Sequence, residues 1–448
     1  MKKDNYFFKN VCSLAIPVAL QSMLQSSFSI VDQIMIGQLG STSIAGVGIA
    51  GKFSSIFTVV VSAIGAVAGI MISQYMGQKN GKEVRRSFFL NLFMGLCLAL
   101  LFTVLCVAFP VQIMGLYTKD SATKIAAAKY LAIIAGTFLP VAGATMLSTM
   151  FRCMEKASLP LYASIVAAIA NTVLNYILIF GKFGFPKMGA TGVAVATVIS
   201  QIVNLFLMLL MYWKCKKTLE WKENVENSDA KFRWGQYAGI LLPILICEFM
   251  WSLGENIYAA IYGHLGTDSS AAMTLINPVQ GLMIGALCGL SQAASVIIGK
   301  KLGVGEYEEA YTASKKLIWY GFVGSVVLSV VILVTSPYYV QIFQVEEHVK
   351  ELTRQILLAY ALIALFKVEN MIVSGGIIRS GGKTKYVLAI DMIGTWGFGV
   401  PLGLLAAFVW NLSIPYVYFI LSLEECVRFA ISLVVLKRKK WMQQLKTG

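Results

Sequence analysis

The chain has few charged residues for its length. Only 13% of its 448 residues are Asp, Glu, Lys or Arg, whereas a soluble globular domain carries about 25%. More than half of the residues, 57%, are hydrophobic, and they fall into long runs that contain few charges. This composition excludes an ordinary soluble domain and predicts an all-α polytopic membrane protein.

Residues of common catalytic motifs are also scarce. The two histidines, His264 and His348, lie far apart, so the chain has no H-E-x-x-H zinc motif. It also has no G-x-x-x-x-G-K-[ST] phosphate loop, which argues against ATP as its energy source. Its eight cysteines include no C-x-x-C pair and are interpreted as small core residues. We therefore expect neither an enzyme nor a bound cofactor.

The excess of positive charge has a regular distribution along the chain. The net charge is +15, but the Lys and Arg residues concentrate in alternate short loops and form no basic face with interleaved aromatics. This pattern argues against nucleic acid as a partner. By the positive-inside rule it predicts that both termini are cytoplasmic, with the basic loops against anionic lipid.

Twelve apolar segments are long enough to cross a bilayer, which takes about 20 residues. The predicted spans are 11–36, 46–72, 87–111, 125–150, 159–181, 190–213, 236–262, 270–299, 312–336, 352–377, 385–409 and 413–436. A polar segment, 214–235, is interpreted as a cytoplasmic linker between an N-lobe, 1–213, and a C-lobe, 236–448. We therefore predict twelve transmembrane helices in two pseudo-symmetric six-helix lobes.

The first span carries a row of polar residues. Gln21, Gln25, Ser29 and Asp32 follow each other at steps of four, four and three, which places them on one helix face. A carboxylate facing lipid costs several kcal/mol, roughly 2.5–3.5 on insertion scales, so this face is expected to line an enclosed, partly wet cavity. The alternative is a structural ion pair between Asp32 and Lys52.

The two halves of the chain resemble each other. A shift of 226 residues lays IPVALQSMLQSSFSIVDQIMIGQLG over LPILICEFMWSLGENIYAAIYGHLG without a gap, and it pairs Pro17 with Pro243 and Gly77 with Gly303. Because the copies are six spans apart, they have the same orientation and are related by an axis along the membrane normal. Two such lobes can enclose a central cavity.

The repeat, the VDQIMIGQLG stretch after the first span, and the run from Arg152 through Asn171, Asn175, Gly189, Gly192 and Thr197 resemble the multidrug and toxic compound extrusion (MATE) transporters. The resemblance covers essentially the whole chain. It implies a V-shaped pair of six-helix lobes in a bacterial cytoplasmic membrane. It also implies exchange of an organic cation, outward, for H⁺ or Na⁺, inward.

The resemblance also implies a coupling-ion pocket in the N-lobe, formed by Asp32, Asn171, Asn175 and Thr197. Asn171 and Asn175 stand four residues apart and share a helix face. Oxygens of Asp32, Asn171 and Asn175 could hold Na⁺, or Asp32 could carry a proton. Some relatives have Asp where this chain has Asn175, so a mechanism that needs two acids in this pocket is doubtful here. The asparagines could also act only as interhelical hydrogen-bonding groups.

Three acids in the second half are further candidates for binding a proton or the substrate. Glu248 and Glu255 lie seven residues apart on one face of the seventh span, and Glu369 lies in the tenth. Acids in these spans occur as proton or substrate sites in branches of the family, and we rank Glu248 first, Glu369 second and Glu255 third. Burial favours the neutral form of a carboxyl, so proton entry and cation release can be linked by competition for one site.

Other charged residues inside the spans are assigned structural roles. Glu424 and Glu425 precede Arg428 by four and three residues, the spacing of an ion pair within one helix. Asp391, near the inner end of the eleventh span, is expected at the headgroup level.

Three functional classes remain open on the sequence. The first is an ion-coupled antiporter for small organic cations, and the second is a flippase for lipid-linked precursors from the same superfamily. The third is a membrane-embedded enzyme or a channel, which the missing catalytic motifs and the acidic two-lobe repeat disfavour. Because the two repeats complete the core within one chain, we expect a monomer.

Overall fold

The structure is a computed structural model, and it describes residues 2–37, 39, 41–216, 233–343 and 345–446. Throughout these residues the regular structure is helical, and no strand occurs among them. The α-helices are α1 (Lys2–Gly37), α2 (Ser41–Gly77), α3 (Gly81–Ala108), α4 (Pro110–Gly115), α5 (Ser121–Ile134), α6 (Phe138–Cys153), α7 (Ser158–Phe180), α8 (Ala190–Lys216), α9 (Trp234–His264), α10 (Thr267–Val304), α11 (Tyr307–Gln341), α12 (Glu347–Asn370), α13 (Lys385–Asp391), α14 (Val400–Leu404), α15 (Ile414–Ser422) and α16 (Glu424–Lys437). A 3₁₀ turn, Ala135–Thr137, joins α5 to α6, and π-helical segments occupy Met371–Ile378, Met392–Gly399 and Leu405–Val409.

Eleven helical stretches within the described residues are long and apolar enough to cross a membrane. They coincide with the first eleven predicted spans, and most extend a few residues beyond them. The twelfth predicted span, 413–436, is two shorter helices, α15 and α16, that meet at Leu423. Leu423 keeps helical backbone angles, and its carbonyl accepts from the Val427 amide at 3.3 Å, so the chain continues in nearly the same direction. Of the predicted linker, residues 217–232 lie outside the described part of the chain.

The chain forms two compact units. The N-terminal unit contains Leu20–Ile72 and Asn80–Glu226, and the C-terminal unit contains Met1–Ala19, Ser73–Lys79 and Asn227–Gly448. The C-terminal unit thus includes the start of α1 and the end of α2, in addition to the second half of the chain. The predicted lobe boundary at the linker therefore leaves out two short first-half segments that pack with second-half helices.

Inside the C-terminal unit, the ends of α2 and α10 cross at two glycines. A Cβ atom on Gly77 would overlap the carbonyl oxygen of Lys300, and one on Gly303 would overlap the carbonyl oxygen of Gln74. The two contacts exchange under the 226-residue shift, because Gln74 corresponds to Lys300 and Gly77 to Gly303. The glycine match found in the sequence therefore marks a close, pseudo-symmetric helix crossing.

Residues 441–446 pack against this crossing and form hydrogen bonds with it. The Gln74 side chain is fully buried: its Nε2 donates to the Ser380 carbonyl at 2.7 Å, and its Oε1 accepts from the Leu445 amide at 2.7 Å. Gln444 Nε2 donates to the Gly303 carbonyl at 2.6 Å, and the Trp441 side chain is fully buried. The C-terminal segment is therefore an integral part of its unit.

Two transmembrane stretches of the C-terminal unit change from α-helix to π-helix partway along. The stretch beginning with α12 becomes π-helical at Met371, whose carbonyl accepts from Ser291 Oγ at 2.6 Å. The stretch beginning with α13 becomes π-helical at Met392. The wider turns of a π-helix recur at functional sites in proteins. Here one of them carries Ser374 and Gly375 to the wall of a cavity.

A side chain at the glycine crossing is expected to destabilise the protein. Gly77→Ala would place its Cβ atom onto the Lys300 carbonyl, a backbone group that cannot move away as the end of a flexible side chain could, so the melting temperature of purified protein in detergent should fall by several degrees. Gly263→Ala is the matched control, since nothing lies within 4 Å of the added atom. Equal melting temperatures for the two variants would contradict a tight crossing.

Candidate ion- and substrate-binding sites

A chain of polar side chains joins α1, α7 and α8 in the N-terminal unit. Asn175 Nδ2 donates to Asp32 Oδ1 at 2.7 Å and to Asn171 Oδ1 at 3.1 Å. Asn171 Nδ2 lies 3.4 Å from Thr197 Oγ1 and 3.5 Å from Ser200 Oγ. Asn175 is fully buried. The structure therefore brings together the four residues Asp32, Asn171, Asn175 and Thr197, and it adds Ser200.

The orientation of the Asn175 amide follows from its neighbours. Because Asp32 Oδ1 and Asn171 Oδ1 are both acceptors, the amide nitrogen has to face them. The opposite atom, Asn175 Oδ1, is buried and has no hydrogen-bond partner among the described residues. An unpaired buried acceptor costs about 1–3 kcal/mol, so a cation or a donor at this oxygen would be stabilised.

The polar face of α1 lies partly against α7. Gln21 Nε2 donates to Ser164 Oγ at 2.9 Å, and the Gln21–Ser164 and Asp32–Asn175 pairs have the same sequence separation, so α1 and α7 run side by side in one register. Gln25 differs, because its side chain is exposed. The Ser29 side chain lies outside what the structure describes. Asp32 makes no ion pair with Lys52 among the described residues, and the exposed position of Lys52 does not support the alternative pairing.

Sequence reasoning missed Tyr130 and Ser200 in this cluster. Tyr130 of α5 is buried and interacts electrostatically with Asp32. Neither residue has a distinguishing signal in the sequence, since tyrosines and serines are common throughout the spans.

In the C-terminal unit, one arginine holds three carboxylates together. Arg428 of α16 lies 3.8 Å from Asp391 Oδ1, 4.0 Å from Glu424 Oε1 and 3.8 Å from Glu425 Oε2. Its Nη2 also donates to Thr395 Oγ1. The predicted ion pairing of Glu424 and Glu425 with Arg428 is therefore confirmed.

The network extends to residues on other helices. Asp391 Oδ2 accepts from the Cys247 thiol at 2.6 Å, and Glu424 Oε2 accepts from the Tyr258 hydroxyl at 2.7 Å. Asn370 Nδ2 donates to Glu425 Oε2 at 2.8 Å and to the Glu425 carbonyl at 2.7 Å. Asp391, expected at the headgroup level as a separate structural acid, belongs to this network.

The three acids predicted in the second half lie in three different environments. Glu248 Oε1 pairs with Arg379 Nη2 at 3.0 Å. Glu255 is exposed and lines a different cavity. Glu369 is only 2% exposed, both of its carboxyl oxygens lack a hydrogen-bond partner among the described residues, and it packs beside Gly321 of α11. The structure does not bring these acids together, and the role of Arg379 was missed.

Two of the cavities in the C-terminal unit are lined by candidate acids. The first, which we call the arginine cavity, has a volume of about 350 Å³ and is lined in part by Glu248, Trp251, Tyr360, Arg379, Asp391 and Arg428. The second, the tyrosine cavity, has a volume of about 270 Å³ and is lined in part by Glu255, Tyr258, Tyr262, Gln280, Tyr418 and Glu424. Lys367 and Glu425 line both cavities, so these two side chains form the boundary between them.

The cavities differ in charge. Three acids (Glu255, Glu424, Glu425) and one base (Lys367) line the tyrosine cavity. Three acids (Glu248, Asp391, Glu425) and three bases (Lys367, Arg379, Arg428) line the arginine cavity. The tyrosine cavity is therefore acidic and aromatic, which suits an organic cation, while the arginine cavity is balanced in charge.

The apolar spans fall in two repeated sets and enclose buried polar groups, which defines a multi-pass membrane protein with internal polar sites. The MatE family model matches residues 17–177 and again 243–405. The chain belongs to this family, that of the MATE transporters, and the two matches begin 226 residues apart, as the internal repeat does.

Known proteins resemble the chain over nearly its full length. The Thermotoga maritima protein named "Probable multidrug resistance protein NorM" is 23% identical over 438 residues, which are 97% of this chain and 93% of that protein. The crystal structure of a MATE in complex with MaL6 has a TM-score of 0.87 at 17% identity and covers 96% of this chain and 95% of that one. A Pyrococcus furiosus transporter, described by "Reverse polarity of binding pocket suggests different function", has a TM-score of 0.85 at 17% identity, with 96% and 95% covered. These structures show the two-lobed fold of the chain.

Removal of the central arginine is expected to destabilise the C-terminal unit. Arg428→Met would leave three clustered carboxylates without their shared cation, and breaking a buried pair in this way costs about 3–5 kcal/mol. The melting temperature of purified protein should drop sharply. Arg354→Met is the matched control, because Arg354 is exposed and pairs with Glu351 on the surface of α12. A drop of the same size in both variants would contradict the central role of Arg428.

Proposed function

We propose that this protein is a secondary antiporter that exports organic cations in exchange for H⁺ or Na⁺. The observation that carries the proposal is the tyrosine cavity, where three acids and three tyrosines surround a space suited to a flat cation. Carboxylates supply the counter-charge, and aromatic faces attract cations by about 0.5–2 kcal/mol each. The names of the relatives refer to multidrug resistance, which supports drug-like small molecules as the exported substrates.

The coupling ion is proposed to bind at Asp32. This site carries one formal charge, which suits a single monovalent ion. The buried Oδ1 of Asn175 supports the assignment, because the amide that donates to Asp32 has an oxygen without a hydrogen-bond partner among the described residues. For Na⁺ to bind oxygens of Asp32, Asn171 and Asn175 together, the Asn175 amide would have to turn its oxygen toward the other two residues, whereas a proton would bind to the Asp32 carboxylate itself.

Glu255 and Glu248 have distinct proposed roles in substrate handling. Glu255 is accessible from the tyrosine cavity and has no arginine partner among the described residues, so it is free to hold the substrate cation. Glu248 is already paired with Arg379, which makes it a weaker candidate for a plain cation. Glu369 is enclosed and lines neither cavity, so we assign it no contact with the substrate.

Gradient-driven efflux tests the proposal. Purified protein in liposomes should expel ethidium when either a pH gradient or a Na⁺ gradient is imposed, and the active gradient identifies the coupling ion. Asp32→Asn should reduce gradient-driven efflux more than tenfold while leaving ethidium binding measurable, because it removes the charge that binds the ion. Glu255→Gln should weaken ethidium binding.

Glu351→Gln serves as the control, since it removes an exposed acid that lines neither cavity. Efflux that survives in Asp32→Asn would move the coupling site away from the N-terminal unit. If the wild-type protein transports no cation under either gradient, the antiporter proposal is wrong and the flippase for lipid-linked precursors is favoured.

We further propose that the protein works as a monomer in the bacterial cytoplasmic membrane, with both termini in the cytoplasm. The concentration of Lys and Arg in alternate loops supports this orientation, and those loops would contact anionic lipid headgroups. Alkaline phosphatase fused at the C-terminus should be inactive, whereas a fusion after Thr118, in a predicted outer loop, should be active. The reverse pattern would overturn the orientation.

A further inference from the structure

Three basic side chains line the arginine cavity, and positive charge there would repel a substrate that carries only a positive group. Its lining is balanced between three acids and three bases, whereas the adjoining tyrosine cavity is acidic. Arg428 is buried and Arg379 is half-buried, and removing a guanidinium from water costs several kcal/mol unless it is paired and hydrogen-bonded. Two of them beside one cavity therefore call for a physical reason beyond cation binding.

The hydrogen bonds of both arginines are incomplete. A guanidinium has five N–H donors. Among the described residues, Arg379 makes one side-chain hydrogen bond, to Glu248, and its buried Nε has no hydrogen-bond partner. Arg428 makes one, to Thr395, and its Nε also lacks one. The carboxylates around Arg428 stand at 3.8–4.0 Å, beyond hydrogen-bond distance.

Acceptors on the same wall are also unpaired. Asn370 Oδ1 and Ser374 Oγ belong to residues that line the arginine cavity, and both are buried without a hydrogen-bond partner among the described residues. The lining therefore has both hydrogen-bond donors and hydrogen-bond acceptors without partners, which suits a ligand that carries acceptors as well as donors. The volume, about 350 Å³, falls within the usual range of ligand pockets, about 300–1,000 Å³.

We propose that the arginine cavity binds the carboxylate of a zwitterionic substrate whose positive group occupies the tyrosine cavity. The two cavities adjoin at Lys367 and Glu425, and the proposed ligand extends past these two side chains from one cavity into the other. Arg379 receives the carboxylate in a charge-assisted pair, the geometry in which guanidinium groups bind carboxylates best. This inference rests on the proposed antiport and narrows its substrate class from cations in general to those that also carry an anionic group.

A matched pair of dyes tests the proposal by equilibrium binding. Rhodamine B and its ethyl ester share one cationic ring system, and only rhodamine B carries a free carboxylate. Fluorescence anisotropy with purified protein gives the two dissociation constants, and the measured quantity is their ratio. Wild-type protein should bind rhodamine B at least as tightly as the ester.

Arg379→Gln should shift the ratio against rhodamine B by about ten- to a hundredfold, the size of one charge-assisted hydrogen bond. Binding of the ester should stay the same or tighten, because Glu248 loses its partner. The double variant Glu248→Gln/Arg379→Gln keeps the net charge and should show the same loss for rhodamine B, which guards against misfolding of the single variant. Arg354→Gln removes a guanidinium that lines neither cavity and should leave the ratio unchanged.

Equal losses for both dyes, an unchanged ratio in Arg379→Gln, or no rhodamine B binding to wild-type protein would each overturn the proposal. The arginines would then be a structural network whose remaining donors bind water. A failure of the proposed antiport can be told apart from these binding results. In that case the ester would still bind to the purified protein, but liposomes containing the protein would not expel it under a pH gradient or a Na⁺ gradient.

Discussion

The cost of charge inside a bilayer is the constraint on which the rest of this structure depends. An ionised side chain that faces lipid is destabilising, so each one must be enclosed and given a partner inside the protein. Arg428 is the clearest example, since it pairs with Glu424 and Glu425 on its own helix, α16, and with Asp391 at the end of α13. Once these charges are fixed, the helices that carry them are fixed as well, and the cavities are the spaces left between them.

The internal repeat conserves the helix framework but not the chemistry. Under the 226-residue shift, Gly77 and Gly303 keep the same role at the α2–α10 crossing. Asp32, by contrast, corresponds to Tyr258. Asp32 accepts a hydrogen bond from Asn175, whereas Tyr258 donates one to Glu424. Backbone packing tolerates no side chain at the glycines, while polar positions can change partner, so the two halves came to hold different sites.

These differences give the two halves a division of labour in the mechanism we propose. The N-terminal unit has a compact cluster with one carboxylate and amide oxygens, suited to a small ion. The C-terminal unit has two adjoining cavities, together large enough for an organic molecule and different in charge. Lys367 and Glu425 line both cavities, so a charged ligand in either cavity would lie close to these two side chains.

The sequence by itself determined the helical membrane fold, eleven of the twelve continuous spans and the repeat, because apolar length and a fixed shift are local properties of the chain. It also predicted that Asn171 and Asn175 share a face, since residues four apart on a helix always do. Only the tertiary structure decided that Glu248 pairs with Arg379, that Glu369 lines neither cavity and that Lys367 lines both. The partner of a buried charge lies on a helix distant in sequence, so its identity depends on how the helices pack.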